Sequence, residues 1–167
     1  MFRPQDVSVL ASIFFKRGKS CQQQEVAAAV GLSPAEITFS LRRSAAVGLY
    51  DPQQKRTMRE PFGEFLIHGL KYVVPAALGA IVRGVPTAWS VAPLNTALLN
   101  ANENPVVWPH PRGSAVGASV DPLYSALPDA AMRDEQFHEF MALIDTVRLG
   151  RTRERRMAEQ ELLARLV

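Results

Sequence analysis

The polar residues of this 167-residue chain provide few of the combinations that catalysis requires. No Gly-x-Ser-x-Gly, Gly-x-x-x-x-Gly-Lys-Ser/Thr or His-Glu-x-x-His motif occurs, so no nucleophile with its base and no phosphate-binding loop is indicated. Glu135 and His138 have the spacing of one half of a di-iron site, but the second half is absent. Asp121, His110 and Tyr124 are the least implausible catalytic groups, and we assign none of them a role. We therefore predict that the protein is not an enzyme and holds no metal or cofactor.

A different chemistry, the recognition of phosphates and base edges, needs cations, and these are concentrated early in the chain. Residues 1–60 contain nine Lys or Arg against five Asp or Glu, which is a net charge of +4. Residues 61–167 contain ten against eleven, a net charge of −1. Contact with phosphates releases counterions and supplies most of the non-specific affinity for DNA. This asymmetry is therefore typical of a basic DNA-binding region joined to a neutral remainder of the chain.

Two short helices are predicted to position these cations. Gln23 to Val30 forms the first, and Gly31 closes it because glycine adopts the left-handed conformation without strain. Ser33 stands three residues before Glu36 with a proline between them, which is a capping box that starts a second helix.

The second helix turns different residues to its two sides. Ile37, Leu41 and Ala45 recur at helical spacing and form its inward face. Gly48 ends the helix before an extended segment begins. The outer side carries Ala35, Thr38, Phe39, Arg42 and Arg43.

The pattern GLSP…L…GL resembles the helix-turn-helix of winged-helix, MarR-like bacterial regulators, over residues 1–60 only. The resemblance implies a recognition helix followed by a wing, the basic loop after Asp51-Pro52. Ser44 departs from it, because relatives usually bury a large aliphatic residue there, and Phe39 departs because relatives often carry a polar base-reading side chain. The DNA-binding residues that the resemblance implies are Ser33, Thr38, Phe39, Arg42 and Arg43 on the helix, and Lys55 and Arg56 on the wing. The alternative to a DNA-binding helix-turn-helix is a helical hairpin with a purely structural role.

The whole chain is predicted to be mainly α, with three regions. Residues 1–74 form a winged helix-turn-helix domain with a small β-wing and a bridging helix. Residues 75–128 form an irregular proline-rich segment, in which short extended pieces but no large sheet are expected. This segment holds both tryptophans and many aliphatic residues, so we predict an ordered surface and not a tether. Residues 129–167 form a C-terminal helical extension.

The function predicted from these features is sequence-specific binding of double-stranded DNA in transcription regulation. A homodimer is expected, with its interface on the last two helices, whose apolar stripes exceed what a small winged-helix core needs. The stripes consist of Phe137, Phe140, Met141, Ile144, Leu162 and Leu166. The alternative function is that of an antitoxin-like or adaptor module whose second half wraps a protein partner.

With the single cysteine Cys21 and no apolar run of membrane-spanning length, a soluble cytoplasmic protein is expected.

Overall fold

The computed structural model of this chain describes residues 1–16, 22–98 and 104–167. Cys21 lies outside these residues. The chain begins with three helices and a two-stranded hairpin, which are α1 (Pro4–Phe15), α2 (Gln23–Val30), α3 (Pro34–Ala46), β1 (Tyr50–Asp51) and β2 (Arg56–Thr57).

A continuous but irregular helix follows the hairpin and leads to a small sheet and three further helices. The helix consists of α4 (Arg59–Glu64), a π-helical turn (Phe65–Gly69) and α5 (Leu70–Val73). The sheet region contains β3 (Ile81–Thr87), a 3-10 turn (Ala88–Ser90), α6 (Leu94–Ala97), β4 (Val106–Pro109) and β5 (Ala115–Ser119). The chain closes with α7 (Leu127–Arg133), α8 (Glu135–Leu149) and α9 (Thr152–Leu166). The mainly helical composition agrees with the prediction.

Local hydrogen bonds define the junction between α2 and α3. Gly31 has a φ of 72°, and its N–H donates to the carbonyl of Ala27 at the end of α2. The Ser33 hydroxyl accepts from the N–H of Glu36 (3.2 Å), and the Glu36 carboxylate accepts from the N–H of Ser33 (2.9 Å). The hydrogen bonds that the Glu36 carboxylate accepts from the N–H and the hydroxyl of Ser33 lower its pKa. The capping box therefore starts α3 where the sequence predicts.

The segment 75–128 is more regular than the predicted irregular chain. β3 pairs antiparallel with both β4 and β5, and β4 pairs parallel with β5, so that the three strands close on one another. This tight closure requires glycine, because a Cβ on Gly84 would overlap the carbonyl of Trp108 and one on Gly117 would overlap that of Pro105. The same glycines interrupt the periodicity that reveals strands in a sequence.

One hydrophobic core joins the three predicted regions. Every residue of α1 from Asp6 to Phe14 is buried, and α8 is buried throughout Phe140–Val147. The Phe140 ring stacks on those of Phe14 and Phe62, with centroids 6.5 Å apart in both pairs. α1 is therefore the central helix, enclosed by elements from both halves of the chain.

This core changes the interpretation of the C-terminal apolar stripes. The stripe residues of α8 and α9 named above are all buried within the chain itself, at exposures of 5% or less. They are covered by the chain and are not available to a second copy, so the predicted placement of a dimer interface on these helices is corrected. Their apolar residues are needed inside the chain, where α8 packs against α9, the sheet region and α1, and α9 packs against α8 and α4.

A buried ion pair fastens the sheet to α8. The Asp145 carboxylate accepts from Thr87 Oγ1 (2.8 Å), Trp108 Nε1 (2.7 Å) and the Arg148 guanidinium (2.6 Å). Arg148 also donates from Nε to the carbonyl of Val74 (2.9 Å), which ties α8 to the end of α5. Burial raises the pKa of Asp145, and the charge of Arg148 is the largest opposing influence.

Among the helices of the described residues, none combines the length and the apolar character needed to cross a membrane.

Candidate nucleic-acid interface

The exposed side of α3 carries one aromatic and one basic side chain. Phe39 is 54% exposed, and Arg42 is also exposed. Thr38 is half-buried, and its hydroxyl donates to Gln23 Oε1 (3.0 Å), which links the start of α2 to α3. Ser33 is exposed but contributes its polar atoms to the helix cap. Phe39 and Arg42 are thus the residues of α3 most able to contact a ligand.

Arg43 lies on another side of α3, and its predicted place at the DNA surface needs correction. Its guanidinium donates two hydrogen bonds to the Asp6 carboxylate, at 2.9 and 2.6 Å, and its side chain is 18% exposed. Asp6 is fully buried in the first turn of α1 and also accepts from the N–H of Arg3 (2.8 Å). The hydrogen bond to Asp6 raises the pKa of Arg43. Arg43 therefore fixes α3 to α1 and leaves the outer face to its neighbour Arg42.

Ser44 and Ser40 occupy the inner face of α3. Both are fully buried, and neither hydroxyl has a hydrogen-bond partner within the described part of the chain. Ser44 is the position at which the resemblance expects a large aliphatic residue. A small side chain here lets α3 pack closely on its neighbours, at the cost of an unpaired hydroxyl.

The hairpin projects beside α3 and carries its cations at its turn. The Asp51 carboxylate accepts from the N–H groups of Gln53 (2.9 Å) and Gln54 (3.1 Å), which shapes the turn. Lys55 has a φ of 50°, and both Lys55 and Arg56 are exposed. The next residue, Thr57, is buried, and its hydroxyl donates to the carbonyl of Leu10 in α1 (2.7 Å). The hairpin is thus anchored to α1 at its base while its basic tip stays open.

An open groove runs between α3 and the hairpin. Among its described lining residues the basic ones are Lys16, Arg42, Lys55, Arg56 and Arg59. Glu60 is the single acidic one in the same described set. The groove therefore has a strongly positive lining, to which α1, α3, the hairpin and α4 all contribute. Four of the predicted DNA-binding residues line the groove, namely Thr38, Arg42, Lys55 and Arg56.

The carboxyl end of α2 is held by the second half of the chain. Tyr124 donates its hydroxyl hydrogen to the carbonyl of Val30 (2.7 Å), and Arg133 donates to the carbonyl of Ala28 (3.1 Å). These are carbonyls of the last helical turn, which have no partner inside the helix. Burial raises the pKa of Tyr124, so its hydroxyl keeps its proton. The sequence carries no local signal for these contacts, because the partners lie 94 and 105 residues apart.

Two of the three histidines, His110 and His138, are engaged in structural contacts. His138 Nε2 lies 2.6 Å from the carbonyl of Pro86, and its ring packs 5.6 Å from that of Trp108, while Glu135 is exposed. His110 Nε2 lies 2.9 Å from the Asp129 carboxylate. Within the described ranges no three His, Cys, Asp or Glu residues come together as a metal site would require.

Comparison with known proteins adds no relative, since no protein family, no curated protein and no solved structure matches this chain. The interpretation of the groove therefore depends on its own geometry.

Proposed function

We propose that this protein is a sequence-specific, winged-helix DNA-binding regulator of transcription. The observation that carries the proposal is the basic groove between α3 and the hairpin. The order of elements also supports it, because two helices joined by a short turn are followed by a hairpin with a basic tip.

In the proposed complex α3 enters the major groove and the hairpin lies along the backbone. Arg42 has the donor geometry to bind a guanine edge or a phosphate, and Phe39 offers an apolar surface that suits a thymine methyl group. Lys55 and Arg56 then contact phosphates, which position the protein without reading the sequence. The ion pair of Arg43 with Asp6 holds α3 in the rotation that keeps Arg42 outward.

The test is fluorescence anisotropy with a labelled duplex that the full chain selects from a random pool. A groove variant combines Arg42→Ala, Lys55→Ala and Arg56→Ala. A matched control combines Arg151→Ala, Arg153→Ala and Arg156→Ala, three exposed arginines on and next to α9 that do not line the groove. Both variants lose the same charge, so a general electrostatic effect weakens binding in both.

The groove variant is expected to bind at least about a hundredfold more weakly, since a lost base contact and two lost phosphate contacts each cost about 1 kcal/mol or more. Its salt dependence should also become shallower, by about 0.9 in the log–log slope for each lost phosphate contact. The control variant should stay near the parent in both respects. Equal weakening of the two variants would refute the groove as the DNA site, and failure to select any duplex would refute the function.

The alternative function, an interaction module that wraps a protein partner, has one observation in its favour. Tyr72 and Ile81 are 77% and 76% exposed, and Leu78 and Val116 are about half exposed. Val73 is 55% exposed as well, whereas Val106, Val107 and Trp108 are covered by the chain itself. We also propose a homodimer, since one recognition helix reads only a few base pairs, and place its contact on this exposed strip. Light scattering at tens of micromolar should report twice the chain mass, and Ile81→Asp should return the monomer.

A further inference from the structure

A cavity of about 320 Å³ lies apart from the groove, on the side of the chain that holds the end of α2. Its lining consists of Arg112, Asp129, Met132 and Arg133. All four residues belong to the described part of the chain and come from the loop between β4 and β5 and from α7. The volume suits a small ligand.

The charges around the cavity favour an anion. Asp129 is already engaged, because one of its oxygens lies 2.9 Å from His110 Nε2 and accepts from the Arg112 guanidinium at 3.3 Å. His110 Nδ1 accepts from the N–H of Arg112 (3.0 Å), which leaves Nε2 as the ring nitrogen that faces Asp129. Two guanidinium groups and one carboxylate therefore line the cavity, which leaves an excess of positive charge. The Arg112 side chain is 77% exposed and keeps further donors for a ligand.

The cavity is also connected to α2 through Arg133. The same guanidinium that lines the cavity donates to the carbonyl of Ala28 in the last turn of α2. Beside it, a Cβ placed on Gly31 would lie 3.1 Å from that of Ala126, so the turn after α2 packs directly on the segment that leads into α7. α2 in turn contacts α3 through the hydrogen bond from Thr38 to Gln23.

We propose that this cavity is a regulatory site for a small oxyanion, a carboxylate or a phosphate, held between Arg112 and Arg133. Guanidinium groups bind both kinds of anion through paired N–H donors. A bound anion competes with the Ala28 carbonyl for the donors of Arg133 and so changes the support of α2, and through α2 that of α3. The proposed anion binding depends only on the cavity, whereas the proposed regulation rests on the proposed DNA-binding function.

Binding is tested by isothermal titration of the full chain with inorganic phosphate and, in a separate arm, with citrate, at an ionic strength held constant with chloride. The decisive variant is Arg112→Gln, which removes a cavity cation that makes no contact with α2. The control is Arg156→Gln, which removes an exposed arginine elsewhere. Saturable binding of at least one anion is expected, weakened about tenfold or more by Arg112→Gln and unchanged by Arg156→Gln. The arm that binds identifies the class of anion.

The absence of saturable binding in both arms overturns the proposal, and so does equal binding by the two variants. The regulatory step is then measured as DNA affinity with and without the anion at the same ionic strength. A change of about threefold or more is expected in the parent and in Arg156→Gln, but not in Arg112→Gln. Anion binding with unchanged DNA affinity overturns the regulatory step. Anion binding in a protein that selects no DNA keeps the site and refutes the DNA-binding function alone.

Discussion

Arg42 and Arg43 are neighbours in sequence, but the structure gives them different roles, and replacing each by methionine separates those roles. Arg43→Met removes both guanidinium hydrogen bonds from the Asp6 carboxylate, which has no exposure to solvent. Asp6 is then left with the N–H of Arg3. Methionine keeps much of the arginine's apolar length, so the variant tests the charge and the hydrogen bonds more than the packing.

The expected cost follows from the burial of the pair. Removing one partner of a buried ion pair costs about 3–5 kcal/mol, because the remaining charge is left uncompensated. Arg43 is 18% exposed, so water reaches one side of the pair and the lower end, about 3 kcal/mol, applies. In a chain of this size that corresponds to a fall in Tm of roughly 6–12 °C. Arg42→Met, at an exposed site, should change stability by less than about 0.5 kcal/mol.

The assay pairs thermal unfolding, followed by circular dichroism, with DNA anisotropy at a temperature where both variants are folded. Arg42→Met should weaken DNA binding by about 1–3 kcal/mol at unchanged stability. Asp6→Asn combined with Arg43→Met should cost less than the sum of the single changes, since the two groups interact directly. If Arg43→Met is as stable as the parent, the ion pair does not hold α3 to α1 and this reasoning is wrong.

Three further predictions concern stability and are measured by urea unfolding. Burial raises the pKa of Asp145 above its unfolded value of about 3.9, so the stability that this group contributes is present below about pH 3.9 and is lost as the pH rises through the folded pKa. Arg148→Met removes the charge that lowers this pKa, so it should raise the folded pKa further and extend the loss to higher pH. Ser44→Ala removes a buried hydroxyl that has no partner among the described residues and should raise stability by about 1 kcal/mol. Gly84→Ala should lower stability by roughly 2–3 kcal/mol, because its Cβ collides with the backbone of Trp108.

The Ser44→Ala and Gly84→Ala variants each have a matched control. Ser33→Ala removes the cap of α3 and should cost about 1 kcal/mol, opposite in sign to Ser44→Ala. Gly48→Ala adds a methyl group in open space at a φ of 76°, and should cost only about 1 kcal/mol for the left-handed conformation. A Gly84→Ala variant no worse than Gly48→Ala would contradict the close approach of β3 and β4. A loss that extends no further toward high pH in Arg148→Met than in the parent would contradict the role of that arginine.

Features determined by neighbouring residues were the ones that the sequence predicted well. The start of α3 depends on Ser33 and Glu36, three residues apart, and the structure confirms it. The side on which Arg43 lies could not be predicted in the same way. Arg42 and Arg43 both flank the apolar stripe of α3, and the choice between them is made by Asp6, 37 residues earlier.

The second half of the chain was harder to predict because its contacts are distant. Asp145 finds Trp108 and Thr87 at separations of 37 and 58 residues. The strands of the closed sheet are broken up by glycine and proline, which hide the alternation of buried and exposed residues. The apolar stripe of α8 predicted a dimer interface because Phe14 and Phe62, on which Phe140 stacks within the chain, lie far away in the sequence. In the structure α1 is buried on every side by α2, α3 and the hairpin together with α8.

The full enclosure of α1 also has a consequence for biosynthesis. α1 is made first, but Phe140 and the rest of α8 follow roughly 130 residues later, which at about 5–20 residues per second is roughly 7–26 seconds of translation. During that interval one side of an apolar helix has no cover from its own chain. The nascent protein should therefore depend on chaperones, and a chain that stops before α8 should be degraded or aggregate instead of accumulating as a free DNA-binding head.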